Sequence, residues 1–258
     1  MAYETMLYGK EVGLAVVTLS RPDKLNSVNT KMQAEMKEIW DDIERDKSVR
    51  LVIITGGEKC FSAGADVREV FPPGTARRSS RDQFKKIEDS DRIAIAAISG
   101  YCLGGGLELA LCCDLRLASE TAQFGLVEIN IGAVPGAGGM QRLPRLIGIT
   151  KAKEMLYTGE QIDAHEAYRI GLVNKVVPVT LLLEEAKKLA SVILEYPPHG
   201  LKISKMCVNQ GMQVDLESAL KLDLEITTRE MSSPLARENS EEGRRAFREK
   251  RKPQFKVG

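Results

Sequence analysis

Short apolar runs bounded by polar, glycine-bearing turns alternate with stretches of helical spacing through the first two thirds of the chain. Residues 3–10 and 13–19 predict two strands joined by a turn at Glu11-Val12. Pro22 and Asn26 mark residues 21–26 as a loop. From 30 to 45 the apolar positions Met32, Met36, Ile39 and Ile43 recur at helical spacing, and Asn29 or Thr30 stands ready as the cap. Residues 50–55 and 93–98 are nearly continuous apolar runs, as in strands covered on both faces, with a charged helix at 81–91 between them. Shorter strands are predicted at 115–118, 122–125 and 173–177, and helices at 140–147, 150–159 and 164–171, the last stopped by Gly171. After that only helical spacing remains, at 181–194, 200–210, 216–231 and 234–251. The alternation predicts an α/β fold, with Pro197-Pro198 separating a mixed part, residues 1–196, from a helical part, residues 197–258.

The stretch from Ser99 to Leu111 organises this pattern. Three glycines, Gly104, Gly105 and Gly106, are expected to turn the 93–98 strand into an apolar helix that carries one acid, Glu108. Glycine at a helix start lets another group come close to the backbone. The first-turn N–H groups have no partner inside the helix and face whatever approaches. Helical side chains lean toward the N-terminus, which puts Glu108 back over Gly104 and Gly105. Free N–H donors beside a carboxylate form half of a site that makes and quenches an oxyanion. The apolar neighbours Leu107, Leu109, Ala110 and Leu111 argue against a freely solvated acid. The alternative is a tight turn whose glycines serve packing alone. A dinucleotide-binding GxGxxG pattern fails, because Leu109 stands where its last glycine is needed.

Composition narrows the classes. The 258 residues are 43% hydrophobic and 28% charged, enough for a sizeable core, and the net charge of +1 argues against a general nucleic-acid binder. No apolar run approaches the ~18 residues of a membrane span. The start, Met1-Ala2-Tyr3-Glu4, lacks the pattern of a leader, so a chain complete as written is expected in the cytoplasm. The five cysteines, Cys60, Cys102, Cys112, Cys113 and Cys207, show no CxxC spacing and read as reduced, packed thiols rather than a disulfide frame or a metal site. The two histidines, His165 and His199, sit in polar segments and are expected at the surface, and neither HExxH nor GxSxG occurs.

Two further segments bear on the glycine turn. Phe61-Ser62-Ala63-Gly64-Ala65-Asp66 is a glycine-bearing loop in which Ala65 can offer a backbone N–H. Glu128, in Phe124-Gly125-Leu126-Val127-Glu128-Ile129, is a second acid among apolar residues, which alone reads equally as a surface acid at a strand end. The joint order resembles the crotonase superfamily, the enoyl-CoA hydratase/isomerase family. The resemblance is carried by residues 60–69, by 100–110, by Cys113-Asp114, Ala122-Gln123-Phe124-Gly125 and Glu128-Ile129, by 132–139 with Gln141-Arg142-Leu143, and by 246–251.

That resemblance implies a crotonase-like spiral of ββα units with a helical C-terminal domain, assembled as a homo-oligomer, a trimer or a dimer of trimers. It implies an oxyanion hole made by the N–H groups of Ala65 and Gly105 and a catalytic pair in Glu108 and Glu128. The acids are expected to activate water and to deliver a proton to Cα of an enoyl-CoA thioester. Two nearby carboxylates titrate as a pair. The anionic coenzyme A, part of the substrate rather than a cofactor, would be met by Lys24, Arg68 and Lys250. Leu25, Ala63, Asp66, Val67, Gly104, Pro135, Gly136 and Phe247 would complete the substrate contacts. Read alone, the basic tail is a solvated helix end. No metal or redox cofactor is implied. An isomerase is the alternative within the family.

Some relatives bind RNA through a lysine-rich helix. Here residues 31–47 mix Glu35, Glu38, Asp41, Asp42 and Glu44 with the bases, so counterion release would be weak and no nucleic-acid partner is expected. Val127, Met140, Ala94 and Ser99 depart from residues frequent in relatives, and residues 71–78, expected near the acyl end, have no generic reading. These departures leave the acyl group open between short linear, branched and alicyclic.

Overall fold

The computed structural model describes residues 3–69 and 75–257, with the side chains of 75–79 left aside. Of the 71–78 segment, 71–74 therefore lie outside the described residues and 75–78 enter only as backbone. The main sheet has six strands: β1 (Met6–Glu11), β2 (Leu14–Leu19), β3 (Leu51–Thr55), β4 (Ile93–Ile98), β6 (Leu115–Ser119) and β9 (Lys175–Val177), in the order β1-β2-β3-β4-β6-β9. The β1–β2 hairpin is antiparallel and every later pairing in this sheet is parallel. A second sheet joins β5 (Tyr101–Leu103), β7 (Gln123–Gly125) and β8 (Ile162–Asp163) in the order β5-β7-β8.

Both faces of the main sheet are covered, which is why β3 and β4 are apolar at every position but Thr55. The period of two then divides the core. Val52, Ile54, Ala94, Ala96 and Ile98 join the larger cluster, with Met32, Met36, Ile39 and Ile43 of α1 (Thr30–Arg45). Leu51, Ile53, Ile93, Ile95 and Ala97 face the other way, onto Leu182, Ala186 and Ala190 of α7 (Leu182–Leu194). Asn29 caps α1 as the spacing predicts, its side-chain oxygen accepting from Met32 N at 2.9 Å.

Four expectations need correction. The 93–98 strand does not run straight into the glycine helix. Gly100 and Gly104, at φ +53° and +50°, bracket β5, and α3 (Gly105–Leu111) starts only after that strand. Three residues are too few for an alternation to register. The helix expected at 81–91 is α2 (Thr75–Asp89), whose polar first turn carries no apolar period. Glu128 is not at a strand end but opens a 3-10 turn, Glu128–Ile131. His199 is half-buried, although His165 is exposed as expected.

The remaining helices are α4 (Gly139–Ile147), α5 (Ile149–Thr158), α6 (Ala164–Arg169), α8 (Pro198–Gly211), α9 (Leu216–Met231) and α10 (Pro234–Glu249). Helix α8 is pinned beneath the sheet by buried Lys205. Its ammonium donates to Asp114 Oδ2 at 2.9 Å, Arg92 O at 2.7 Å and Ile87 O at 3.2 Å. In contrast, α9 buries only Ile226 and leaves Leu216, Leu220 and Leu224 at 75%, 62% and 69% exposure. Four of the five cysteines are buried and all are free. Among the described residues no helix is long and apolar enough to cross a membrane.

Candidate active site

Two backbone segments meet at the start of α3. Residues 60–66 run alongside β5: Phe61 N donates to Ser99 O at 2.7 Å, Ser62 N to Tyr101 O at 2.8 Å, and Leu103 N to Ser62 O at 2.9 Å. On the other side Val28 brackets Ala65. Val28 N donates to Gly64 O at 2.8 Å, and Val28 O accepts from Asp66 N at 3.0 Å. The neighbouring N–H groups of Ala63, Gly64 and Asp66 are thus taken, by Leu25 O, Ser62 Oγ and Val28 O. No acceptor among the described residues takes the N–H of Ala65 or of Gly105. These two donors are close: a Cβ placed on Gly105 would lie 3.5 Å from Ala65 N. The approach depends on glycine at two points. Gly64 has φ +98°, and a Cβ there would come to 2.8 Å from Leu103 O. On Gly106 it would come to 2.5 Å from Ser62 O.

Beneath the loop lies a buried polar scaffold. Asn26, 2% exposed and at φ +52°, donates to Gly56 O and Cys60 O, and its own carbonyl accepts from Ser62 Oγ at 2.9 Å. Arg21 donates from Nη1 and Nη2 to Asp66 Oδ2, both at 3.1 Å, and Arg68 grips the same carboxylate from Nε and Nη2 at 3.0 and 3.1 Å. These cations, Arg68 foremost and then Arg21, hold the Asp66 carboxyl down at about 2 in spite of its burial. The expected contact residue Asp66 is therefore spent on two arginines.

Glu108 is 3% exposed. Its Oε1 accepts two backbone N–H groups, from Ala137 and Gly139, each at 2.8 Å. Burial raises its pKa; the Gly139 and Ala137 N–H groups, the charge of Arg142 and the backbone of Gly136 pull the other way. The carboxylate beside Gly104 is that of Glu128 rather than Glu108. A Cβ on Gly104 would find Glu128 Oε1 at 3.0 Å, and its three nearest atoms all belong to Glu128. Glu128 thus lies beside the glycine turn, Glu108 rises from the helix that the turn begins but points its carboxylate to the 137–139 loop, and the Ala65 donor faces Gly105.

The other expected contact residues divide into groups. Lys24 and Leu25 are exposed at the end of the 3-10 turn Pro22–Lys24, and Leu25 O binds Ala63 N at 2.9 Å. Val67 and Arg68 are exposed beside Ala65. Pro135 is buried and Gly136 half-buried in the loop that leads to the Glu108 donors. Phe247 and Lys250 stand apart on α10. Phe247 is 85% exposed, Lys250 is the left-handed residue ending the helix, and no hydrogen bond or ion pair among the described residues ties either to the glycine turn. Sequence reasoning missed the Ala137 and Gly139 donors, Asn26 and Arg21. The only local hint of the first two is the glycine density of 132–139, where Gly138 has φ +110°.

Comparison with known proteins identifies the family. The family model described as Enoyl-CoA hydratase/isomerase matches residues 9–258. The chain is 42% identical to a crotonyl-CoA hydratase of Syntrophomonas wolfei, over 99% of each chain. It is 41% identical to a short-chain-enoyl-CoA hydratase of Clostridium acetobutylicum, over 98% of this chain and 97% of that one. The crystal structure of an enoyl-CoA hydratase from Bacillus anthracis superposes with a TM-score of 0.92 at 37% identity, covering 99% of this chain and all of that one. Matched by the family model over nearly its whole length, and by relatives about 40% identical over nearly all of each chain, the chain belongs to the enoyl-CoA hydratase/isomerase family.

Proposed function

We propose that this protein adds water reversibly across the α,β double bond of an enoyl-CoA thioester. The observation that carries the reading is the pair of N–H groups, Ala65 and Gly105, that no acceptor among the described residues takes, with Glu128 beside Gly104 and Glu108 on the helix that Gly105 begins. Addition to the double bond moves charge onto the thioester oxygen, and an enolate-like intermediate follows. Two fixed donors stabilise that charge, by ~3–4 kcal/mol each in typical sites. Glu108 takes a proton from water as its oxygen bonds to Cβ, and Glu128 delivers a proton to Cα. Glu108 is a competent base because burial raises its pKa toward the working pH while two N–H groups keep the carboxylate in place. The relatives named as crotonyl-CoA and short-chain enoyl-CoA hydratases support a short acyl group.

Lys24 and Arg68, both exposed, suit the phosphates of coenzyme A. Phe247 and Lys250 serve the same ligand from a neighbouring subunit of a homo-oligomer, a trimer or a dimer of trimers. The exposed α9 stripe of Leu216, Leu220 and Leu224 supports that assembly, since a lone protomer leaves it in water. No metal or redox group enters the scheme, and the cytoplasm is the compartment proposed.

The test is a panel of linear, branched and cyclic enoyl-CoA thioesters, followed by loss of the conjugated absorbance. Glu108→Gln and Glu128→Gln are expected to lower kcat by several orders of magnitude with thioester binding largely kept. Near wild-type hydration by either variant would overturn the two-acid scheme. Double-bond migration without hydration across the panel would replace it by isomerisation.

A further inference from the structure

Glu108 takes its two hydrogen bonds from a turn that has no regular structure of its own. Ala137 and Gly139 flank Gly138, at φ +110°, just before α4 begins. What fixes this turn is Arg142, one helical turn further on. Its Nη1 donates to Ala137 O at 3.0 Å, and its backbone N donates to Gly138 O at 2.9 Å. The guanidinium lies so close over Gly138 that a Cβ there would come to 2.0 Å from Nη1. Its remaining donors go to α2: Nε to Glu88 Oε1 at 3.2 Å and Nη2 to Glu88 Oε2 at 2.6 Å, a two-point grip of planar cation on carboxylate. Ala137 therefore donates to Glu108 through its N–H and accepts from Arg142 through its carbonyl. A single residue thus links the acid to the ion pair.

We infer that Arg142, gripped by Glu88, is a positioning residue that holds the Ala137–Gly139 turn on Glu108 and sets the basicity of that acid. The inference rests on the role of Glu108 proposed above. The groups facing Glu108 are few. Among the described residues Arg142 of α4 is the cation that bears on it, Glu88 of α2 partly neutralises Arg142, and Cys112 ends the acid's own helix. Glu128 lies across Gly104, and Arg145 lines the same groove as Arg142 but is bound to Gln141. Burial makes the thiol of Cys112 harder still to ionise, so it stays neutral. Among the described residues Arg142 is thus the positive influence on Glu108, and it is graded by Glu88.

The signs of two substitutions follow and are opposite. Arg142→Met removes the cation and frees the turn, so Glu108 ionises at higher pH. The acid limb of the kcat–pH profile moves up, and kcat falls by about 10–10²-fold through misplacement of the donors. Glu88→Gln keeps an acceptor for the guanidinium but removes the opposing charge. Arg142 then acts on Glu108 undiminished, and the acid limb moves down. Arg142→Lys restores charge without the planar grip and is expected between the two.

The experiment measures kcat and KM across pH for these three variants and for Glu108→Gln, with circular dichroism on each. Limbs that move in opposite directions at unchanged KM support the assignment, because general damage to the fold would not reverse sign. Limbs that stay in place, or both move the same way, overturn it. Where Arg142→Met does not fold, Glu88→Gln decides: an unmoved limb there is equally fatal. Glu108→Gln separates this claim from its premise. If it stays active, the role of the acid falls; if it is inactive while the other limbs are unmoved, only the role of Arg142 falls.

Discussion

Gly105 offers the sharpest probe of the oxyanion hole, because there the structure separates folding from chemistry. It sits at the first position of α3 with a backbone conformation open to any residue, and an added Cβ meets nothing closer than Ala65 N at 3.5 Å. That is ordinary van der Waals distance, and alanine is a better helix former than glycine by about 1 kcal/mol. Gly105→Ala should therefore fold and melt at least as high as the wild type. The same Cβ, however, stands beside the second donor, where a thioester oxygen bound to both N–H groups must fit. Gly105→Val adds two methyl groups at that place. Losing one donor in such sites costs about 10²–10³ in kcat. We expect Gly105→Val to lose at least that much and Gly105→Ala less, with circular dichroism and assembly unchanged. Gly106→Ala is the contrasting control. Its Cβ would fall 2.5 Å from Ser62 O and 2.8 Å from Ser62 Cβ, so the loop must move and thermal stability should drop. A folded, fully active Gly105→Val protein would refute the assignment of this donor.

Three further outcomes are expected. Burial raises the Glu108 pKa, so the native state resists ionising it, and this cost is complete above the raised value and fades as pH falls to the ordinary 4.5. Glu108→Gln, whose side-chain oxygen still accepts both N–H groups, should therefore melt no lower than the wild type at pH 7 while losing activity; a clear fall in Tm would contradict this. Asp66 has the opposite sign: held at about 2 by Arg68 and Arg21, it contributes stability above its unfolded value near 3.8 that is lost as pH falls toward 2. Asp66→Asn should lower Tm at pH 7 by about 2–4 °C, for a loss of about 1 kcal/mol, and by less at pH 3, as calorimetry would register. On α9, Leu220→Glu puts a charge in the exposed apolar stripe and should shift light scattering toward monomer; an unchanged mass would remove that stripe from the interface.

The centre of the sheet was legible because β3 and β4 are buried on both faces, which writes itself into the chain as a nearly unbroken apolar run at 51–55 and 93–98. The long C-terminal helices were legible from spacing rather than burial: Leu216–Met231 has the predicted bounds, with Leu216, Leu220 and Leu224 four apart. The short elements of the second sheet left no such trace. The strand Tyr101–Leu103 exists because its backbone pairs with Phe124 and its neighbours and with the 61–62 loop, and main-chain pairing leaves no pattern in side chains. The glycines that permit it, Gly100 and Gly104, were visible, but they read as one turn instead of two ends of a strand.

At the site, Glu108 stood out as an acid in an apolar helix, but what orients it did not. Its two donors lie 29 and 31 residues further along, on a turn whose sequence shows only small residues and glycine. A backbone N–H can be supplied by almost any residue, so the chain carries no local mark of which ones will serve. Ala65 was marked by its glycine-bearing loop and by the resemblance, but the reason its N–H is left over, Val28 taking the groups on either side of it, lies in the fold. Side chains that supply chemistry must be of a given type and so appear in the sequence. Backbone that supplies electrostatics need only be in the right place, and place is decided by the sheet. In this protein half of the candidate machinery is of the second kind: the acids were recognisable from the chain, Ala65 and Gly105 through the glycines around them and the family resemblance, and only the Ala137 and Gly139 donors needed the fold.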